Sequence, residues 1–482
     1  MARKLNEECG VFGIYNKNNL HTAKLVYYGL FALQHRGQES CGIAVNNDNK
    51  ITCVKDVGLV SDVFNTHILE ELQGSIAVGH VRYSNIGYNT RENAQPLCAR
   101  YIKGTVTIAH NGNIANAHIL RKELMEEGAI FQSATDSEVI AFLIAKERKS
   151  SASIEQAIAK VMPKLIGSYS LLVMSPRKLI AVRDPNGIRP LCIGKIEDSY
   201  IFSSESCALD AIQAEFVRDV KPGEIVVVSP NSTYSLTTQC SGKGALCIFE
   251  HIYFARPDSI IDGVSVYEAR KNGGKILAKR FPVEADIVIG APDSGLVSAI
   301  GYAEESKIPY SDGLIKNRYI GRTFIKPGEE MRADSVAVKL NVLKNTIEGK
   351  RVIVIDDSIV RGTTMTRIIK ILRSAGAKEI HVRISSPPFS YPCYFGTDIS
   401  NQKELTYDPS LKEDAIEALR KKINADSLHF LPYEEIPNLA PASALDFCVG
   451  CFTGKYIMSI EDDSKIQTKH IIDLNYSVKP KS

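Results

Sequence analysis

The stretch RVIVIDDSIVRGTTM, Arg351 to Met365, limits the folds open to this chain more than any other. It opens on four apolar residues, Val352 to Ile355, whose β-branched side chains suit a strand buried on both faces. Two adjacent acids follow, Asp356 and Asp357, and then a loop through Ser358, Arg361 and Gly362. Thr363 or Thr364 is expected to cap a helix whose apolar stripe is Met365, Ile368, Ile369, Leu372 and Ala375. Gly376 stops that helix, and residues 380–384, IHVRI, read as the next strand. The unit is βαβ, with a hydroxyl-rich loop at a helix N-terminus. Such a terminus offers unpaired N–H groups and partial positive charge, and Gly362 lets a phosphate approach the backbone. The two carboxylates would repel that phosphate unless they face sugar hydroxyls or a Mg²⁺ carried by a polyphosphate.

A lone pair of acids after a strand reads as an ordinary turn. The complete run DDSIVRGTT instead resembles the phosphoribosyl pyrophosphate loop of type I phosphoribosyltransferases. The resemblance implies that Asp356, Asp357, Ser358, Arg361, Gly362, Thr363 and Thr364 bind that substrate, with Asp356 and Asp357 facing Mg²⁺. A second strand-then-loop piece, DIVIGAPDSG (286–295), places Asp293 and Ser294 where they can approach the pyrophosphate or its Mg²⁺. The segment IKNRYIGRTF (315–324) carries Lys316, Arg318 and Arg322 among aromatics. Alone it reads as a solvated basic loop. Beside a pyrophosphate site it is similar to the family's flexible catalytic loop, which closes over substrate and excludes water.

A chain of 482 residues is too long for one core, so two large domains are expected. Its net charge of +3, without a basic block, points away from nucleic acid. No apolar run approaches membrane-spanning length, and MARKLNEECG lacks the apolar core of a signal peptide. Eleven irregularly spaced cysteines suit a reducing cytoplasm better than a secreted disulfide framework.

The N-terminal half changes at Cys9 from polar to strand-like, in CGVFGIYN. Then come QHRGQES (34–40), GHVRYS (79–84), AHNGNI (109–114) and TDSEVI (135–140). Thr135 or Asp136 is expected to cap a helix that buries Val139, Ile140, Leu143 and Ile144. Alternating strands with few helices suggest an αββα sandwich. One cysteine near a terminus is more often a packed thiol than a nucleophile. The ordered set ECGVFG, QHRGQES, GHVRY, HNGN and TDSE, however, resembles the class II glutamine amidotransferase domain, an N-terminal-nucleophile hydrolase.

That resemblance implies removal of a leader, Met1 to Glu8, to make Cys9 the mature N-terminus. A free α-amine with a pKa of about 7.7–8.0 can exchange a proton with its own thiol, so nucleophile and base share one residue. Asn111 and Gly112 match the family's oxyanion-hole pair, Arg82 the residue that pairs with the glutamine carboxylate, and Asp136 the acid that holds its α-amine. One position departs from the pattern. The family usually places threonine two residues after the Tyr83 position, and this chain has Asn85.

The chain turns small and polar around residues 230–245, where the domain boundary is expected, and the two resemblances imply the rest of the organisation. Residues 1–8 are a propeptide and 9–240 the αββα glutaminase domain. Residues 241–460 form a type I phosphoribosyltransferase domain with a parallel sheet, and 461–482 a tail. Four cysteines stand apart: Cys448 and Cys451 in a CxxC, Cys247 in ALCIFEH, and Cys393 in YPCYFG. Spacing alone leaves zinc, iron–sulfur and unrelated structural thiols open. The remaining thiols, Cys41, Cys53, Cys98, Cys192, Cys207 and Cys240, read as structural.

Joined in this order, the two halves resemble the glutamine phosphoribosylpyrophosphate amidotransferase family. The resemblance runs from about Asn6 to Tyr456. It implies that glutamine is hydrolysed at one site and that ammonia passes to the other. There it displaces pyrophosphate from the ribose, giving 5-phosphoribosylamine for purine synthesis. It also implies Mg²⁺, a [4Fe–4S] cluster on Cys247, Cys393, Cys448 and Cys451, purine nucleotide inhibitors and a homotetramer. A sugar-isomerizing glutaminase cannot account for DDSIVRGTT. A non-catalytic sensor of the substrate cannot account for Cys9, Arg82, Asn111 and Asp136 together.

Overall fold

A computed structural model describes residues 9–17, 21–83, 89–317, 340–397, 399 and 402–459. The N-terminal half is built on β1 (Gly10–Tyr15), β2 (Ser40–Asn47), β3 (Lys50–Val57), β4 (Ile76–Arg82), β5 (Leu97–Tyr101), β6 (Gly104–Ile114) and β7 (Gly167–Met174). It continues with β8 (Leu179–Arg183), β9 (Cys192–Ile196), β10 (Ser199–Ser203), β11 (Glu215–Asp219), β12 (Ile225–Val228) and β13 (Thr233–Leu236). Two antiparallel sheets result, ordered β11-β9-β10-β1-β4-β2-β3 and β13-β12-β8-β7-β6-β5.

These central strands are continuously apolar because both of their faces are covered. Between the sheets, Val11, Tyr15, Ile76 and Val78 pack on Leu172, Met174, Leu179 and Ala181. Outside the first sheet, Phe12 and Ile14 lie beneath Val26 and Leu30 of the helix Thr22–Ala32. That helix comes so close that a Cβ on Gly29 would lie 2.4 Å from the Phe12 ring. Outside the second sheet, Val139, Ile140 and Ile144 of the helix Asp136–Glu147 cover Ile108, Leu171 and Val173. The result is the expected αββα sandwich.

The C-terminal half adds β14 (Ala245–Cys247), the hairpin β15 (Ile260–Ile261) and β16 (Val264–Ser265), β17 (Ile287–Gly290), and the pair β18 (Leu314–Lys316) and β19 (Leu340–Val342). It ends with β20 (Arg351–Asp356), β21 (Glu379–Ile384), β22 (Ser427–Phe430) and β23 (Asp446–Cys448). β17, β20, β21 and β22 form a parallel sheet in the order β17-β20-β21-β22. Ile353 and Ile355 face Leu277, Ala299 and Tyr302 on one side. Val352 and Val354 face Met365, Ile368, Ile369 and Leu372 on the other. All four strand residues are fully buried, each contributing about 1.5–3 kcal/mol by leaving water.

The two halves meet through buried charge. Arg36, after the first helix, donates to Glu205 at 2.6 Å and to Glu250 at 2.9 and 2.8 Å. Arg189 reaches Glu250 at 3.3 Å, and all four side chains are essentially inaccessible. Burial opposes the Glu205 charge, but His35 and Arg36 hold its carboxyl well below the usual range. Removing one partner would leave another buried charge uncompensated. Among the described residues, no helix is long and apolar enough to cross a membrane.

Candidate active sites

Cys9 lies immediately before β1, half-buried, with its thiol 3.5 Å from the Tyr83 carbonyl. Its own carbonyl accepts from Arg36 Nε at 3.0 Å. The antiparallel register Gly10↔Val81 brings this end of β1 beside Arg82, the last residue of β4, which is 3% exposed. Across the sandwich, β6 carries Asn111 and Gly112, opposite Ser170 and Tyr169 of β7. His80 of β4 donates through Nε2 to the His110 carbonyl at 2.9 Å, tying the two sheets together at this end.

Asn111 is 1% exposed, and neither its amide nitrogen nor its amide oxygen has a hydrogen-bond partner among the described residues. A buried amide left unsatisfied costs about 1–3 kcal/mol and marks a place where a ligand completes the bonding. Gly112 has φ 147°, and a Cβ there would lie 2.1 Å from the Ser168 carbonyl. Only glycine fits beside Asn111.

Asp136 begins its helix but does not cap it. The N-cap is Thr135, which makes no side-chain cap bond. The Asp136 carboxylate instead accepts from the Ile114 N–H at 2.9 Å and lies 3.4 Å from His110 Nδ1. Burial opposes its charge, and His110 with the surrounding N–H groups outweighs that, holding the carboxyl below its ordinary value. A capping bond would have turned this acid toward its own helix. The β6 backbone turns it toward the strand of Asn111 and Gly112 instead.

The motifs QHRGQES and AHNGNI do not by themselves assign a part to Arg36 or His110. The structure places Arg36 on the Cys9 carbonyl and His110 on Asp136. The signal available was a charged residue within an otherwise apolar neighbourhood, but only the tertiary contact shows its target. Asn85 and the leader Met1–Glu8 fall outside the described residues.

In the second half, β17 and β20 are parallel neighbours, with Gly290 opposite Ile355. The loops that follow them, 291–295 and 357–362, therefore emerge side by side at the carboxyl edge of the sheet, where ligands of open α/β sheets bind. Helices Leu296–Ser306 and Thr363–Ser374 both begin there. The N-cap of the second helix is Gly362 at φ 75°, not a threonine, and no side chain caps it. Thr363 and Thr364 lie inside the first turn and are exposed.

Asp356 and Asp357 are 7% and 6% exposed. Asp356 Oδ1 accepts from the Asp357 N–H at 2.9 Å, and Asp357 accepts from the Ser358 hydroxyl. Arg361 pairs with Glu404. Ser294 is half-buried in the neighbouring loop, where Asp293 pairs with Lys316 of β18. Arg318 and Arg322 fall outside the described residues.

The four cysteines set apart by the sequence are gathered into one region. Parallel pairing of β14 with β23 sets Cys247 opposite Cys448, and Cys393 and Cys451 pack against the same apolar cluster around Phe249, Phe389 and Phe452. The Cys451 thiol is pushed up by burial and by the nearby sulfurs of Cys393, Cys247 and Cys448. Even so, among the described residues no group of three or more His, Cys, Asp or Glu side chains is arranged to hold a metal ion. The region abuts the glutaminase site: Asn113 Nδ2 donates to the Tyr394 carbonyl at 2.8 Å, and Ser168 Oγ to that of Phe395 at 2.7 Å.

Residues 80–211 match the model of the glutamine amidotransferase domain, and residues 265–385 that of the phosphoribosyl transferase domain. The amidophosphoribosyltransferase of Methanocaldococcus jannaschii is 48% identical, over 93% of this chain and 97% of the relative. The chain belongs to the amidophosphoribosyltransferase family. The Bacillus subtilis amidophosphoribosyltransferase is 45% identical over 95% of this chain and 96% of the relative. A solved B. subtilis glutamine phosphoribosylpyrophosphate amidotransferase, complexed with ADP and GMP, superposes with a TM-score of 0.86. It is 43% identical and covers 94% of this chain and 98% of the other.

Amidophosphoribosyltransferase activity moves ammonia from glutamine to phosphoribosyl pyrophosphate, giving 5-phosphoribosylamine, glutamate and pyrophosphate in the first committed step of de novo purine biosynthesis.

Proposed function

We propose that Cys9, freed at its amine by removal of Met1–Glu8, attacks the glutamine amide carbon and that Asn111 and Gly112 bind the oxyanion. The observation that carries this assignment is the buried Asn111 amide without a partner among the described residues, beside a glycine that admits no Cβ. Arg82 takes the glutamine carboxylate through its guanidinium fork, and Asp136 takes the α-amine. Depressing the Asp136 pKa keeps it anionic for that role. Arg36, held by Glu205 and Glu250, fixes the Cys9 carbonyl and so orients the nucleophilic residue.

At the second site, Ser358, Arg361, Gly362, Thr363 and Thr364 hold the phosphate group of phosphoribosyl pyrophosphate. The uncapped helix start at Gly362 supports this, since its N–H groups suit an anion. Asp356 and Asp357 with Ser294 would hold Mg²⁺, and Lys316 and Arg318 would reach the pyrophosphate. The buried hard-oxygen donors of the two acids fit that ion. Bound Mg²⁺ supplies charge neutralisation on the departing pyrophosphate. A closed route between sites is required because ammonia in neutral water takes a proton and loses its nucleophilic lone pair.

Cys247, Cys393, Cys448 and Cys451 would hold a [4Fe–4S] cluster. Four thiols brought together from three stretches of chain, in an apolar setting, suit such a group. Bound there, it would tie Cys448 and Cys451 back onto β14. Purine nucleotides act as feedback inhibitors, the protein assembles as a homotetramer, and it works in the cytoplasm. The nucleotide reading rests on the ADP and GMP of the solved relative.

The deciding experiment pairs two nitrogen sources. Cys9→Ala is expected to lose 5-phosphoribosylamine formation from glutamine and to keep it from ammonium salts, increasingly as pH rises. A folded variant that loses both equally overturns the assignment. Intact mass of active protein should begin at Cys9.

A further inference from the structure

The edge strands β3 and β5 lie on the same open side of the glutaminase sandwich, one in each sheet. Cys53 of β3 lies against the start of β5 there, its thiol facing the Pro96 carbonyl two residues before Cys98, and a hydrogen bond between the two sulfurs sets their acidities apart. Cys98 Sγ also lies 3.4 Å from the Thr107 hydroxyl. Cys53 is half-buried, with its thiol 3.8 Å from the Pro96 carbonyl. Among the described residues, Cys98 is the one exposed cysteine.

The surroundings divide the two thiols into different roles. The Cys53 hydrogen bond, helped by Thr107 and the Lys55 ammonium and opposed by burial, pulls the Cys98 thiol down to about 7. The same hydrogen bond, with burial, pushes the Cys53 thiol up. Near neutral pH the thiolate fraction of Cys98 is then raised above the few per cent of an ordinary thiol. The other charged neighbours of the pair are Arg91, which favours the Cys53 thiolate, and Glu92, which acts on Lys55. Simple structural packing accounts for buried thiols such as Cys41, whose pKa burial raises to about 12. It does not account for an exposed, acidified sulfur in contact with a second thiol.

We propose that Cys53 and Cys98 form a redox-active dithiol that takes low-molecular-weight disulfides, with Cys98 as the attacking sulfur. The Cys98 thiolate attacks one sulfur of the disulfide, forming a mixed disulfide and expelling one thiolate. The Cys53 sulfur then attacks Cys98 Sγ, closing a cross-sheet disulfide and expelling the second small thiol. The expelled thiolates take up the two protons that Cys98 and Cys53 gave up. Two protein thiols are oxidised and one external disulfide is reduced to two thiols. The bond would staple the open sandwich edge three residues from Gln95, whose Oε1 accepts the His110 N–H at 2.8 Å on the Asn111 strand.

The test exposes full-length reduced protein to oxidised glutathione under anaerobic conditions, followed by alkylation and peptide mapping. Wild type is expected to yield a Cys53–Cys98 cross-linked peptide that dithiothreitol reverses. Cys53→Ser is expected to stop at a glutathione adduct on Cys98, and Cys98→Ser to yield neither product. The wild-type map needs no variant to fold. Absence of the cross-link there, or an adduct on Cys98 no more abundant than on Cys240, overturns the proposal.

Discussion

His80 Nε2 donates to the carbonyl of His110 at 2.9 Å, so one sheet of the sandwich holds the backbone that precedes Asn111 in the other. The ring is completely buried, and burial, with some repulsion from Arg82, pushes its pKa down to about 3, the bond to His110 only partly offsetting this. The folded protein therefore keeps His80 neutral where the unfolded chain protonates it, below about 6.5. Stability from this group is complete above the unfolded value and falls as pH drops toward 3, by up to about 1.4 kcal/mol per pH unit. His80→Gln keeps a donor but no titration. Urea midpoints measured between pH 7 and pH 4 should fall less steeply in His80→Gln than in wild type. Parallel curves would show that the ring titrates freely.

The Asn111 side-chain amide makes no hydrogen bond among the described residues, so little is lost from the resting fold when it is removed. Asn111→Ala should lower glutamine-dependent turnover by about 10²–10³-fold. Ammonia-dependent synthesis should stay near wild type, and the melting temperature should change little. Steady-state kinetics with each nitrogen source, beside a thermal melt, check all three outcomes.

Asp357 lies just after β20, and its charge supports the buried Arg270 guanidinium, whose pKa burial lowers to about 10. Asp357→Asn should cut phosphoribosyl transfer by roughly 10²-fold with either nitrogen source. Basal glutamine hydrolysis should persist. Loss of transfer with glutamine alone would place the acid on the ammonia route and not at the pyrophosphate.

Cys451 sits among the sulfurs of Cys247, Cys393 and Cys448. Anaerobically purified protein should be brown and carry about four irons per chain. Cys451→Ser should lose both the colour and several degrees of melting temperature, because metal binding is coupled to folding. Metal analysis that finds zinc in colourless, stable protein would reassign the site.

Local pattern carried the parallel sheet a long way. The four apolar residues Val352–Ile355 and the stripe from Met365 to Leu372 are buried on the faces their spacing implies. Strand and helix periods are properties of neighbouring residues, and the hydrophobic effect acts on them directly. The cap was misread at Thr363 because several residue types can start a helix. A positive φ at Gly362 decided it.

Contacts between residues distant in sequence were not legible in the same way. Nothing local to Cys247 shows that it will lie opposite Cys448, since that depends on parallel pairing of two three-residue strands. Nothing local to Arg36 names Glu250, and nothing in AHNGNI names His80 or Asp136 as partners of His110. The sequence by itself determined the strands and helices that carry the motifs, because those follow from short-range periodicity, and the motifs' resemblance to known families gave the two domain types and their order. Tertiary structure alone decided which buried charges pair, which amide stays unsatisfied and which thiols meet. Those outcomes depend on desolvation and on the register of strands far apart in the chain, and neither is written in any one segment.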